Sequence, residues 1–163
     1  MSFKNLQLLP LLLALPILAT GIAQAAPDPL PGTWTAPPSR EDTAMGLTGT
    51  TLTVAAAPGG YTFSSVAHGK HGDMQATLPT IPDGKPHTGS TTFGPATATC
   101  HRTDPRTLAC EVRMGPSPPS QSTFVLSADG KTLTETDTSA SNDSTSAQAA
   151  QHTVTTTTVF HRQ

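Results

Sequence analysis

Gly32-Thr33-Trp34 marks the point where a proline-spaced lead-in gives way to an alternating strand pattern. Trp34 is the only tryptophan of the chain, and a side chain of that size is costly to leave in water. One face of the strand predicted over residues 32–36 should therefore close the end of a hydrophobic core. Downstream, apart from at most one helical turn between Glu41 and Met45, the residues alternate as in short strands and lack helical spacing.

The segment before this strand has the features of a secretory leader. Lys4 supplies a positive end, residues 8–22 form an apolar stretch, and Ala23-Gln24-Ala25 is a small-residue cleavage site. We predict that residues 1–25 are a cleaved signal peptide and that residues 26–163 form one domain. The mature protein is then periplasmic or secreted, with no stable membrane anchor after cleavage.

The composition favours strands and argues against several classes of partner. Charged residues make up 12% of the chain and aromatic residues 4%, and the formal net charge is -2. Threonine and valine, which have branched side chains, fit a pleated sheet better than a helix. The sequence shows no basic face suited to nucleic acid or to a membrane surface, and we expect no nucleic-acid partner and no cofactor.

Strand patterns recur about every ten residues, with turn residues between them. We predict strands over residues 50–56, 61–67, 73–78, 87–93, 96–100, 108–114, 122–126, 131–138 and 153–162. Residues 80–85 are predicted to be a loop. The turn at residues 127–130 admits either a two-residue loop or a longer one with Gly130 in a left-handed conformation, and the choice reverses the faces of the next strand. The polar run at residues 139–151 is either a mobile loop or an extension of that hairpin.

Cys100 and Cys110 lie on the best-specified pair of strands. If they stand opposite each other in an antiparallel pair, Ala98 faces Val112 and a small residue meets a large one. In an exported protein two facing cysteines are most simply a disulfide. Such a bond would stabilise the fold by about 3 kcal/mol in the chain-entropy model. The alternative, a nucleophilic cysteine, lacks a partner base in the sequence.

Regularly spaced short strands indicate an all-β sandwich or barrel, and closure removes the edges that a threonine-rich sheet would leave open. Arg162 has the same parity as Phe160 on the last strand, so its guanidinium can stack on the indole of Trp34 and close one end of a barrel.

Gly32-Thr33-Trp34 and Arg162 resemble the lipocalin and wider calycin families, whose first strand carries Gly-x-Trp and whose closing strand often supplies a basic residue to that tryptophan. The resemblance is closer to bacterial secreted lipocalin-like proteins. It is carried by the segments at residues 83–86, 106–108, 127–133 and 162–163. The resemblance implies a single closed or nearly closed antiparallel up-and-down β-barrel, here of about eight to ten strands, that binds a ligand inside.

Our first functional hypothesis is therefore a barrel that binds a small, largely apolar molecule in its interior. Trp34 and Arg162 would close the far end. The predicted ligand-binding residues are Trp34, Tyr61, Phe63, Leu108, Val112, Met114, Phe124 and Arg162. The second hypothesis is a barrel that acts on a protein partner, as bacterial protease-inhibitor barrels do, through the extended segment at residues 26–31.

A third hypothesis is a small enzyme with a metal at the turn that carries His68, His71 and Asp73. Two imidazoles and a carboxylate are suitable ligands, but a glycine-rich turn supplies no third fixed one, so a solvated turn is favoured. No nucleophile-elbow pattern is present in the sequence. We therefore expect neither catalysis nor a bound metal.

Overall fold

The computed structural model describes residues 28–142 and 151–163, and the predicted leader lies outside this part of the chain. As predicted, the protein is an antiparallel up-and-down β-barrel; it has ten strands and is closed by pairing of the first strand with the last. The elements are β1 (Gly32–Ala36), α1 (Arg40–Ala44), β2 (Leu47–Ala57), β3 (Gly60–Gly69), β4 (Met74–Thr80), β5 (Asp83–Thr91), β6 (Gly94–Asp104), β7 (Thr107–Met114), β8 (Ser120–Leu126), β9 (Thr132–Asn142) and β10 (Gln151–Arg162).

The two ends of the barrel differ, and we call them the base and the mouth. The base is the end where Trp34 pairs with Arg162 and where the turns after β2, β4, β6 and β8 lie. The mouth is the opposite end and carries α1. At the start of α1 the side chain of Ser39 accepts a hydrogen bond from the backbone N–H of Asp42, and the carboxylate of Asp42 accepts one from the backbone N–H of Ser39, which forms a capping box. Among the described residues, no helix is long and apolar enough to cross a membrane.

The base is closed by the predicted stacking of Arg162 on Trp34. The guanidinium carbon lies 4.1 Å from the centroid of the indole, and Trp34 is completely buried. Arg162 also donates to the carbonyl oxygens of Gly130 at 2.9 Å and of Pro31 at 3.0 Å. At Gly32 a Cβ would come within 2.5 Å of the guanidinium. The Gly-x-Trp pattern therefore makes room for the arginine as well as supplying the ring beneath it.

The segment before β1 is docked against the base. Leu30 is buried, and its carbonyl accepts from the indole Nε1 of Trp34 at 3.2 Å. The hydroxyl of Tyr61 donates to the carboxylate of Asp28 and accepts from Arg102 at 2.6 Å. Burial, followed by the hydrogen bond to Asp28, raises the pKa of Tyr61, which keeps its hydroxyl available as a donor.

The predicted pairing of β6 with β7 is confirmed. Cys100 is opposite Cys110 and Ala98 is opposite Val112, and the two cysteines form a disulfide. Both cysteines are buried on the inner face of the barrel. The turn between the strands falls after Asp104, as the Asp-Pro step predicts.

The loop predicted at residues 80–85 is wrong over its second half. Asp83 begins β5 and pairs with His101 on β6. Gly84 has a φ of 71°, and an irregularity in the pairing between Asp83 and Pro86 absorbs it. The Pro-Asp-Gly sequence favours a turn locally. The long-range backbone pairing with β6 nevertheless makes residues from Asp83 onward part of a strand.

The turn between β8 and β9 combines features of the two alternatives: Gly130 is left-handed, as in the longer loop, whereas the strand register is the one that the two-residue loop predicts. Leu126 pairs with Leu133, the backbone N–H of Ser127 donates to the carbonyl of Thr132 at 2.9 Å, and Gly130 has a φ of 68°. This register places Leu133 inside the barrel, completely buried. The inward residues that follow on β9 are Glu135 and Asp137.

Candidate functional site

A cavity of about 280 Å³ lies between the base and the mouth. Most of its wall is apolar. The apolar lining residues are Leu52, Phe63, Ala76, Leu78, Ala98, Cys110, Val112, Phe124 and Phe160. A cavity of about 150 Å³ is enough to hold benzene, so this space accommodates a molecule of roughly one to two rings.

The cavity exists because a ten-stranded barrel is wide and its inward side chains near the mouth are small. Eight strands enclose an interior that side chains just fill, and ten strands enclose more. Ser65 is opposite Ala76, and Ala98 faces Val112. The bulky inward residues are concentrated nearer the base, where they fill the interior. The cavity lies between them and the mouth.

One wall of the cavity is polar. Ser122 and Asp137 are directly opposite each other on β8 and β9, and the Ser122 hydroxyl donates to the Asp137 carboxylate at 2.7 Å. Glu135 is one inward step nearer the base on the same strand and also lines the cavity. Hydroxyl groups complete this lining. They belong to Thr50, Ser65, Thr80 and Ser120.

The electrostatic character of this wall is acidic. Burial raises the pKa of Glu135 to about 7, and the negative charge of Asp137 adds to the effect. Among the described residues, the lining includes no lysine, arginine or histidine. The cavity therefore holds the Glu135 carboxyl group in a desolvated position, with no cationic side chain among the described lining residues beside it.

Three of the eight predicted ligand-binding residues line the cavity: Phe63, Val112 and Phe124. The Phe63 and Phe124 rings pack edge to face with their centroids 5.0 Å apart, a favourable aromatic geometry. The other five do not line it. Trp34, Tyr61, Leu108 and Arg162 belong to the base, and Met114 is 49% exposed at the end of β7.

The placement of Leu108 and Met114 corrects the prediction that they line the interior space together with Val112. All three share one face of β7, as the alternation predicts. The face is longer than the cavity, however. Leu108 packs in the base and is only 2% exposed. Met114 lies beyond the cavity, at the mouth end of β7.

The sequence reasoning missed Glu135 and Asp137. Their parity with Leu133 is visible in the sequence, but the turn at residues 127–130 left the faces of that strand open. The apolar pair Leu126 and Leu133 is the signal that selects the register, because placing the two residues opposite each other buries both side chains.

The histidine turn at the mouth is a surface feature. The imidazole of His68 lies 2.9 Å from the Thr51 hydroxyl through Nε2 and 3.4 Å from the Asp73 carboxylate through Nδ1. Both His68 and Asp73 are 44% exposed at the side chain. Within residues 28–142 and 151–163, no group of three or more His, Cys, Asp or Glu side chains is arranged to hold a metal ion.

Glu135→Gln is expected to stabilise the protein at pH 8 by about 1–3 kcal/mol and to change little at pH 5. The folded-state pKa of about 7 exceeds the ordinary value of 4.5, so the folded state binds more protons between these values. The free energy of unfolding contributed by Glu135 is fully present below pH 4.5 and is lost as the pH rises through about 7. The neutral amide avoids that loss.

Urea unfolding of both proteins at pH 5 and pH 8 measures this effect. Hydrogen bonds lower the pKa values of Asp83, Asp104 and Asp129, so these groups act at more acidic pH and do not interfere. A variant whose stability follows the same pH profile as the wild type would show that Glu135 is not held in a desolvated site.

Neither the known protein-family models nor the curated protein sequences match this chain. The function is therefore inferred from the cavity, its lining and the base that closes it.

Proposed function

We propose that the protein is an exported, lipocalin-like binding protein that holds a small, largely apolar molecule in the interior of the barrel. The observation that carries this proposal is the cavity of about 280 Å³. Its predominantly apolar wall with a few convergent polar groups is the usual composition of a small-molecule site.

A binding role without catalysis is favoured by the state of the reactive side chains in the lining. Cys110 is locked in the disulfide with Cys100. The hydroxyl of Ser122 donates to a carboxylate, and none of the lining residues is a histidine that could activate it.

The base supports an interior site over action through the N-terminal segment. Residues 28–31 contact the barrel through the buried side chain of Leu30 and through carbonyls that accept from Trp34 and Arg162. A segment that inserts into a protein partner would have to give up these contacts. The same contacts keep one end of the barrel closed beneath a ligand.

Export is part of the proposal and is supported by the disulfide. Disulfides persist mainly in oxidising compartments, and Cys100 and Cys110 are paired. The leader-like composition of residues 1–25 is consistent with the same route.

Ala76→Phe is expected to abolish binding of small apolar probes, with a rise in Kd of at least about 30-fold for 2-phenylethanol. Ala76 faces the cavity on β4, and a benzyl ring would occupy about half of the space. Ala55→Phe is the matched control, because Ala55 follows the buried Val54 on β2, has the opposite parity and is exposed.

Isothermal titration calorimetry with 2-phenylethanol measures both variants, and circular dichroism verifies that they fold. Saturating probe should also raise the Tm of the wild type, since a ligand at 100 times its Kd stabilises by about 2.7 kcal/mol. Equal affinity in the wild type and in Ala76→Phe would place the binding site elsewhere.

A further inference from the structure

We propose that the cavity selects a positively charged ligand, namely a small organic ammonium compound whose apolar body lies against Phe63 and Phe124 and whose cationic group lies beside Glu135 and Asp137. This inference rests on the proposed function, because it names the class of molecule that the same cavity would bind.

The first support is the position of the two carboxyl groups. Glu135 and Asp137 are two residues apart on β9 and face inward together, which places their Cα atoms about 7 Å apart. Both line the cavity, and Asp137 is oriented by the hydrogen bond from Ser122. Ser122 is itself buried, with 6% exposure. The carboxylates are thus part of the cavity wall and are partly buried in it.

The second support is the lack of a neutralising protein charge among the described side chains. The two guanidinium groups at the base have other partners. Arg162 stacks on Trp34 and donates to backbone carbonyls, and Arg102 donates to Tyr61 and to the carbonyl of Pro105. Carboxylates in a low-dielectric space are costly unless they are paired, and a bound cation would provide the missing partner.

The groups that face Glu135 from the neighbouring strands are all uncharged. Phe124 is opposite it on β8 and Thr158 is opposite it on β10. Across the barrel, Thr50, Leu52 and the other lining residues do not titrate. Asp137 is therefore the ionisable group that shares the cavity with Glu135, and the Glu135 pKa of about 7 reflects burial and this like charge.

The remaining wall fits an organic cation better than a metal ion. Ca²⁺ requires six to eight oxygen ligands, and Mg²⁺ requires a near-octahedral set. The cavity offers two carboxyl groups and several hydroxyl groups beside aromatic and aliphatic side chains, and no group of three or more His, Cys, Asp or Glu side chains in the described part of the chain is arranged to hold a metal ion. An ammonium group with a ring or short alkyl body uses both kinds of surface, and the rings of Phe63 and Phe124 also attract cations.

The test compares three probes of similar shape and different charge by isothermal titration calorimetry at pH 7.5: 2-phenylethylamine, 2-phenylethanol and phenylacetate. We expect the amine to bind at least 10-fold more tightly than the alcohol, and phenylacetate to bind at least 10-fold more weakly than the alcohol. The affinity for the amine should rise between pH 6 and pH 8, because the cation favours the ionised form of Glu135. The alcohol should show little pH dependence.

Variants of the two carboxyl residues test whether these groups cause the preference for the amine. Glu135→Gln should reduce the preference for the amine over the alcohol by at least 10-fold and remove the pH dependence. Glu111→Gln is the matched control, since Glu111 is a carboxylate on β7 that contacts Arg113 and Gln121 outside the cavity. Asp137→Asn provides a second cavity variant if Glu135→Gln does not fold.

The outcomes separate the two proposals. Binding of the alcohol or of phenylacetate without a preference for the amine overturns the cationic ligand and leaves an interior binding site in place. Loss of all binding overturns both. Displacement of the amine by Ca²⁺ at stoichiometric concentration would overturn the organic cation in favour of a metal ion. A preference for the amine that survives both cavity variants would place the cation away from this wall.

Discussion

Trp34→Ala is expected to lower the free energy of unfolding by about 3–5 kcal/mol, the range for removing a buried aromatic side chain. The indole is completely buried at the base. Its loss removes the ring beneath the Arg162 guanidinium and the donor to the carbonyl of Leu30. One substitution therefore affects the core, the closing strand and the segment before β1 together.

Urea unfolding followed by circular dichroism measures this loss. Arg162→Ala and the double variant complete a double-mutant cycle, in which the two side chains should show a coupling of at least about 1 kcal/mol. Arg113→Ala serves as the matched control, because Arg113 is exposed and pairs with Glu111, and its loss should stay within about 0.5 kcal/mol. Additive effects of Trp34→Ala and Arg162→Ala would contradict the description of the base as one unit.

Replacement of both cysteines by alanine is expected to cost about 3 kcal/mol. The bond joins residues ten apart, and closing a loop of this length restricts the unfolded chain. Both sulfurs are also buried, so the double variant leaves unfilled space beside Ala98 and Val112. The strands themselves should persist, because the pairing of β6 with β7 extends well beyond the bond on both sides.

The measurement is the urea midpoint of the Cys100→Ala/Cys110→Ala protein against the oxidised wild type. Wild type treated with dithiothreitol is the internal control, since it loses the bond and keeps both side chains. If the reduced and oxidised proteins unfold at the same midpoint, the disulfide does not stabilise the barrel.

The features that were predictable from the sequence share one property: their local pattern and their long-range pairing agree. Gly32-Thr33-Trp34 is followed by an alternating strand and meets Arg162, which has the inward parity. Cys100 and Cys110 lie on strands joined by an Asp-Pro turn, and the facing residues fit by size. In both cases one register satisfies every observation, so the pairing could be inferred without coordinates.

The features that were missed are those in which local chemistry leaves the register open. The Asp-Gly step before Lys131 permits two loop lengths, and each places a different set of β9 residues inside. Polar residues on that strand gave no reason to choose an inward face for Glu135. Only the pairing of Leu126 with Leu133 fixes it. Acidic side chains inside a barrel oppose the usual hydrophobic pattern, and such exceptions are where a functional site is expected.

The size of the cavity could not be predicted from the sequence either. Parity identified Phe63 and Val112 as inward, and it identified Leu108 and Met114 equally well. Phe124 was predicted as a lining residue from its aromatic side chain and not from parity. Which inward residues pack against one another and which border open space depends on how many strands close the barrel and on their stagger. The structure shows that ten strands close the barrel, and this number determines which inward residues border open space.

The central claim, that the barrel interior holds a small molecule, is tested most directly by native mass spectrometry of the mature protein purified from its own source, with Ala76→Phe prepared in parallel. We expect the wild type to carry a noncovalent adduct of about 100–250 Da, a mass appropriate to a cavity of this volume, that is lost on denaturation and is absent from Ala76→Phe. A bare wild type, or an adduct that Ala76→Phe retains equally, would contradict binding in the interior.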